Sequence, residues 1–346
     1  MTEKSLAERI GPAPAPTLPT HPAIAGWRTA TPDDIDAIHG VQAAADAVDH
    51  PTWITPREDI ADAFDLSYID HGRDTVIAVT PEGEAVAFSC AMLHPSREGT
   101  LTVTISGAVH PAWRRRGIGT AALRWSYVRA REQLAEAIAD APPGEWDLQI
   151  KVYAEESTPD VVTIAEPLGL RVERWFTTMV RDMSIAPPHP TIPDGVELIP
   201  YTADRALDVL AARNDAFRDH WGSLPTTEES WRKFVDGEFL RPDLSRLALD
   251  ADGRVVGLCL ASVNRSDWET LGASHAYIDL IGVVRDHRRR GLAPAVIAAS
   301  LAAIAEEGLS KVVLDVDTEN PSGAHALYER LGFVATERSL ALVQRF

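Results

Sequence analysis

The chain runs twice through the same order of signals, and no other feature narrows its possible fold as much. Two Pro-rich stretches break the 346 residues, one from Gly11 to Pro22 and one at Pro187-Pro188-His189-Pro190-Thr191-Ile192-Pro193-Asp194-Gly195. After the first break, Trp27-Arg28-Thr29-Ala30-Thr31-Pro32-Asp33-Asp34 reads as a short strand and a capped helix start. Leu198-Ile199-Pro200-Tyr201-Thr202-Ala203-Asp204 reads the same way after the second. His50-Pro51-Thr52-Trp53-Ile54-Thr55-Pro56 then resembles His220-Trp221-Gly222-Ser223-Leu224-Pro225. Strand pairs follow, Val76 to Met92 around Gly83 and Leu247 to Val263 around Gly253. In both halves a further strand enters an Arg/Gly turn and an apolar helix. Shared order over about 150 residues, one domain's length, marks a duplicated α/β unit. The expected organisation is a mobile tail over 1–25, a domain over 26–185, a linker over 186–195 and a second domain over 196–346.

Composition removes several classes of function. A formal charge of −18 argues against nucleic acid, because binding a phosphate backbone needs basic surface. It leaves room for steering a cationic substrate. No run of 18 apolar residues spans a bilayer, and Met1-Thr2-Glu3-Lys4-Ser5 opens no secretory signal. Cys90 and Cys259 are the only cysteines, each inside an apolar run. They read as buried small hydrophobes rather than a disulfide or metal pair, which fits a reducing cytoplasm. A monomer or homodimer without bound metal is expected.

The two turns carry the chemistry. Tyr277 to Val284 is a β-branched, apolar run that enters Arg285-Asp286-His287-Arg288-Arg289-Arg290-Gly291-Leu292-Ala293 and then an Ala-rich helix. Leu101 to Val109 enters His110-Pro111-Ala112-Trp113-Arg114-Arg115-Arg116-Gly117-Ile118-Gly119 and another helix. Glycine lets the main chain approach a ligand, and the first N–H groups of a helix converge on an anion. Arginines add charge-assisted bonds that suit a pyrophosphate. Neither turn holds the Lys-Ser/Thr of a P-loop or the three spaced glycines of a dinucleotide fingerprint.

Arg288-Arg289-Arg290-Gly291-Leu292-Ala293 and Arg114-Arg115-Arg116-Gly117-Ile118-Gly119 resemble the Arg/Gln-x-x-Gly-x-Gly/Ala signature of the GNAT N-acetyltransferase superfamily. The resemblance implies two tandem domains, each a mixed, mostly antiparallel sheet flanked by helices. It also implies acetyl-CoA as cosubstrate, held by its pyrophosphate at the turn. The pantetheine would meet main-chain groups of Ile281, Gly282 and Val283, and of Gly107, Ala108 and Val109 in the other half. The double arrangement is similar to the mycothiol synthase type of tandem GNAT protein.

Leu314-Asp315-Val316-Asp317-Thr318-Glu319-Asn320-Pro321-Ser322-Gly323-Ala324-His325-Ala326-Leu327-Tyr328-Glu329-Arg330-Leu331-Gly332-Phe333 reads as a strand and then a helix. Asn320 suits the N-cap, Pro321 the first position and Gly332 a left-handed cap at the end. The string also resembles the family's Asn…Ala-x-x-Leu-Tyr-x-x-x-Gly-Phe block, in which the Asn meets the cofactor and the Tyr lies near the CoA sulfur. Eight residues separate Asn320 from Tyr328 where seven is usual, a difference a bulge at Pro321-Ser322-Gly323 would absorb. A phenol within reach of the departing thiolate can act as general acid, which makes Tyr328 the candidate. Setting Leu168-Gly169-Leu170 over Leu331-Gly332-Phe333 puts Ala165 where Tyr328 stands. The first half is therefore expected to bind acetyl-CoA poorly or to serve as structure.

By strand alternation Tyr277, Asp279, Ile281 and Val283 share one face. Asp279 among apolar neighbours is either the general base for the incoming amine or a structural hydrogen-bond acceptor. His220 and Trp221 either wall the acceptor pocket or pack the core. The reading that results is an acetyl-CoA-dependent N-acetyltransferase acting on a small-molecule amine. The alternatives are mycothiol synthase proper, whose acceptor is a cysteinyl pseudodisaccharide, and a non-catalytic acyl-CoA-binding protein.

Overall fold

A computed structural model of the chain describes residues 6–13, 15–49, 54–142, 144–320 and 323–346. His50 to Trp53 in the repeat comparison, and Pro321 and Ser322 at the expected bulge, lie outside the described residues. The chain forms two compact units, Met1–Trp175 with Ser339–Phe346, and Phe176–Arg338.

The first unit contains α1 (Leu6–Ile10), β1 (Gly26–Thr29), α2 (Ile35–Asp49), α3 (Arg57–Asp65), α4 (His71–Asp74) and β2 (Thr75–Val79). It continues through β3 (Ala85–Leu93), β4 (Thr100–Val109), α5 (Ile118–Ala139), β5 (Asp147–Glu155) and α6 (Pro159–Ala165), and β6 (Arg171–Asp182) then leaves it. The second unit holds β7 (Glu197–Pro200), α7 (Ala206–Ala216), α8 (Glu228–Val235), β8 (Arg246–Leu249), β9 (Val255–Ser262) and α9 (Trp268–Leu271). Its remainder is β10 (His275–Val283), α10 (Leu292–Glu307), β11 (Lys311–Asp317), α11 (Ala324–Arg330) and the start of β12 (Phe333–Arg345).

Each unit is a mixed sheet with one parallel pair, β4 with β5 and β10 with β11, among antiparallel neighbours. Period-2 alternation sends Leu148, Ile150 and Val152 of β5 against Leu123 and Leu134 of α5. Ile38 and Val41 of α2 pack on Ile77 and Phe88. The second unit repeats this with a core in which α10 supplies Val296, Ile297, Leu301 and Ile304, and α7 supplies Val209 and Leu210.

The expected domain limits at 185 and 196 do not coincide with the compact units. Residues 176–182 of β6 pair with β11 in the second unit, and residues 339–345 of β12 pair with β5 in the first. Each half thus gives its last strand to the other half's sheet, where it covers the outer edge of the second parallel strand. The tail expected over residues 1–25 is also different in the structure. Ile10 and Ile24 are buried, and Arg131 of α5 donates to the carbonyls of Ile10 and Pro12. Ile10 and Ile24 thus anchor the two ends of the Pro-rich segment, and the described residues between them stay partly or fully exposed.

Candidate active site

In the second unit β10 and β11 pair only from His275 to Tyr277, opposite Lys311 to Val313. Beyond that point β10 remains paired with β9 but carries a bulge between Ile278 and Leu280, which makes Asp279 the extra residue. A bulge bends its strand and raises the local twist, so β10 parts from β11 and its main-chain groups at Leu280 to Val283 face the gap. The bulge also corrects the expected alternation. Tyr277 lies opposite Ser262, whereas Ile281 and Val283 lie opposite Cys259 and Gly257. Directly opposed residues share a face, so Tyr277 faces away from Ile281 and Val283. Gly282 faces α7, where an added Cβ would meet Ala216 Cβ at 3.1 Å and Phe217 Cε2 at 3.3 Å.

The parted strands lead to the two elements expected to do the chemistry. From β10 the chain passes through a 3₁₀ turn, Arg285–His287, to the turn before α10. Arg289 takes φ +61° and Gly291 φ +84°; in the first unit Arg115 takes φ +62° and Gly117 φ +85°. These are the only positive-φ arginines among the described residues, and non-glycine residues hold such a conformation at a cost of about 1–3 kcal/mol. The same strained turn at both places leads into the N-terminus of a long helix, whose first N–H groups have no partner within the helix and are suited to cradle an anion. Leu292 is buried behind it, and Ala293 opens the helix beside Pro294, whose missing N–H costs nothing in the first turn.

The first arginine of each triplet has a different task from that expected. Arg288 donates to Val283 O (3.4 Å), Ala216 O (2.8 Å) and Asp219 (3.1 Å). Arg285 also grips Asp219, and its N–H donates to Asp215 at 2.8 Å. Arg114 donates in the same way to Val109 O (3.0 Å) and to both oxygens of Asp49 (2.7 and 2.6 Å). Both arginines therefore fasten the strand end to the C-terminal end of the helix that follows the unit's first strand. Asp49, Asp215 and Asp219 gave no sequence signal, because their partners lie 65 to 70 residues away in the chain.

From β11 the chain reaches α11, which carries Tyr328. Gly323, not Asn320, is the N-cap of this helix, at φ +73°. Asn320 sits in the preceding turn, its N–H on Asp317 O at 3.1 Å. Gly332 closes the helix at φ +89° with its N–H on Glu329 O (3.0 Å), as expected. Buried Arg181 of β6 donates to Leu331 O at 2.8 Å and holds the helix end down. Tyr328 is 8% exposed and edge-on to Phe333 at 6.0 Å. Burial pushes its phenol well above the ordinary value, with the Cys259 thiol a smaller cause. This favours the neutral phenol, which has a proton to donate.

On the α7 side, His220 lies 5.5 Å from the Phe217 ring, with Nδ1 3.1 Å from Trp221 O. Trp221 lies 6.1 Å from Phe176. Both cysteines are fully buried, which pushes the Cys90 thiol up to about 11 and the Cys259 thiol up to about 12. Neither is a nucleophile under such conditions.

The first unit keeps the frame and differs at these groups. Its β4–β5 pairing continues to Ile105 opposite Val152, so the strands part later. Gly107 is required there, since an added Cβ would stand 2.4 Å from Phe88 O. Ala165, fully buried, takes the place of the phenol. Arg115 pairs with Asp160, and Arg116 lies over the Trp113 ring and on Ala112 O. Arg289 and Arg290 are exposed and make no ion pair among the described residues. His21 Nε2 stands 3.3 Å from where a Cβ on Gly117 would be. The cradle beside Gly117, Ile118 and Gly119 is thus partly covered by the chain's own N-terminal segment.

A twice-repeated strand, Arg/Gly turn and helix on such sheets defines an acetyltransferase class, and residues 43–143 and 206–333 both match the Acetyltransferase (GNAT) family. The chain belongs to that family. It is 29% identical over 329 residues to the mycothiol acetyltransferase of Clavibacter sepedonicus, covering 92% of this chain and 95% of that one. It is 33% identical over 231 residues to the mycothiol acetyltransferase of Salinispora arenicola, covering 65% and 68%. Among solved structures it resembles a GCN5-related N-acetyltransferase from Sphaerobacter thermophilus, at TM-score 0.66 and 26% identity over 94% and 97% of the two chains. It shares its fold with a tandem GNAT protein from the clavulanic acid biosynthesis pathway, at TM-score 0.66 and 17% identity over 92% and 98%. No described helix is long and apolar enough to cross a membrane.

Proposed function

We propose that the second unit transfers an acetyl group from acetyl-CoA to a primary amine of a small molecule. One observation carries this reading: β10 and β11 part above Tyr277, and the two parted strands lead separately to the Arg289–Gly291 turn and to the Tyr328 helix. Main-chain N–H groups from Arg289 to Ala293 would hold the pyrophosphate, with Arg289 and Arg290 adding charge. Main-chain groups of Ile281, Gly282 and Val283 would align the pantetheine in the gap, with Asn320 beside it.

The neutral amine attacks the thioester carbonyl; a C–N bond forms and the C–S bond then breaks. The sulfur leaves with the Tyr328 proton, and the nitrogen's surplus proton passes to Asp279 or through water, from which the phenol recovers its own. The products are an acetamide and free CoA. The first unit, with Ala165 and engaged arginines, is non-catalytic in this reading.

A second reading, mycothiol synthase with a cysteinyl pseudodisaccharide acceptor, is favoured by the name shared by the relatives. The test is an acceptor screen of small primary amines, that pseudodisaccharide among them, read by release of free CoA. Amine-dependent CoA release supports the proposal, and preference for the pseudodisaccharide selects the second reading. Release that no amine accelerates would refute both.

A further inference from the structure

The mouth of the gap between β10 and β11 holds an arrangement that the acetyl-transfer chemistry does not use. Tyr277 is the last residue of β10 paired with β11, and its hydroxyl donates to Asp315 Oδ2 at 2.5 Å. Thr178 of β6, directly opposite Asp315, donates to Oδ1 at 2.5 Å. Each carboxylate oxygen is therefore oriented by a neutral hydroxyl. Asp315 is exposed, and no Lys, Arg or His among the described residues forms an ion pair with it. In a chain where so many surface carboxylates find an arginine, a fixed and uncompensated anion at this spot is a receptor for a cation.

The surroundings narrow the ligand. Phe176 is two residues before Thr178 on the same face of β6, and Trp221 packs on it at 6.1 Å. Aromatic faces beside an oriented carboxylate suit an ammonium group on a compact scaffold. Asp317, the next residue on this face of β11, is buried and accepts from the N–H of Glu319 at 3.1 Å, so it belongs to its own loop.

Building on the reading of the second unit as an N-acetyltransferase, we propose that Asp315, held by Tyr277 and Thr178, receives the acceptor's ammonium group, which gives one proton to water and moves on to the thioester as the neutral amine, with Phe176 and Trp221 as the wall beside it. Asp315 then decides that amines enter, and Tyr277 is a positioning residue acting through it.

The experiment compares wild type with Asp315→Asn, Asp315→Glu and Tyr277→Phe. The probes are glucosamine, cysteinamide and 1,4-diaminobutane, each beside a counterpart with hydroxyl in place of its amine. Losing one charge-assisted hydrogen bond should raise KM for the amine about 10- to 100-fold in Asp315→Asn. kcat should change little and acetyl-CoA affinity should not change. Tyr277→Phe should shift KM in the same direction by less, and Asp315→Glu should recover part of the loss. If wild type turns over and Asp315→Asn keeps its KM, the docking role is wrong while acetyl transfer stands. If wild type transfers to no probe, the acceptor screen decides the transfer reading, and calorimetry on the CoA-loaded protein decides the docking. Amine binding that exceeds binding of the hydroxyl counterpart and weakens in Asp315→Asn supports it; equal binding of the two in wild type, or no change in the variant, overturns it.

Discussion

At the scale of single residues, Tyr328 and Lys151 give the sharpest expectations. Tyr328→Phe keeps the ring in the core beside Phe333 and removes only the proton, so the fold should survive. General acids contribute about 10²–10⁴-fold in rate. kcat should fall within that range while acetyl-CoA affinity, measured by calorimetry, stays within about twofold. A fall of less than about threefold would make Tyr328 a packing residue. Lys151 of β5 is 2% exposed, and desolvation, helped by Arg345, holds its ammonium down at about 8. The unfolded chain keeps that proton up to about 10.5. Between these values the unfolded state binds more protons, so this group makes stability rise with pH across that window. Lys151→Met should therefore raise the melting temperature at pH 7, by at most about 3 kcal/mol of stability. The gain should shrink as pH passes from about 8 to 10.5, and a gain independent of pH would mean that burial of the charge is not its source.

Elements show which parts of the molecule can be read from the sequence. The two Arg/Gly turns were legible because each is a local strand, turn and helix signal written in consecutive residues. So was the missing phenol at Ala165. The bulge at Asp279 was not, because Ile278-Asp279-Leu280 is compatible with regular alternation and only pairing against β9 shows the extra residue. The N-cap of α11 moved from Asn320 to Gly323 because the turn at Asp317 to Asn320 satisfies its own hydrogen bonds first. The destination of β6 and β12 was hidden for another reason: both are alternating strands that would complete either sheet equally well by pattern. Their exchange makes a prediction. A fragment of residues 196–346 lacks the β6 strand that pairs with β11 and carries Leu340 and Leu342 without their core. It should lack a cooperative thermal transition, while 176–338, which keeps every pairing of the second unit, should show one. Cooperative unfolding of 196–346 would show that the borrowed strand is dispensable.

For the whole molecule the account comes down to asymmetry between two copies of one design. Both units keep the parallel pair, the turn with its left-handed arginine and glycine, and the carboxylate that ties the turn to the preceding helix. Only the second combines two cradle arginines that make no ion pair among the described residues with an early parting of the strands and a phenol. The first engages its arginines with its own residues, Arg115 on Asp160 and Arg116 on Trp113, and His21 comes closer to a Cβ on Gly117 (3.3 Å) than Pro193 does to one on Gly291 (3.8 Å). Both halves match the family, while the unpaired arginines and the phenol stand only in the second. The most direct test is a calorimetric titration of acetyl-CoA into wild type, Gly117→Asp and Gly291→Asp, each shown by circular dichroism to be folded. An aspartate at either glycine sets a negative charge against the pyrophosphate and a side chain at a φ that disfavours one. The account predicts one acetyl-CoA bound per chain in wild type, the same in Gly117→Asp, and none in Gly291→Asp. Binding that survives in Gly291→Asp and disappears in Gly117→Asp would contradict it.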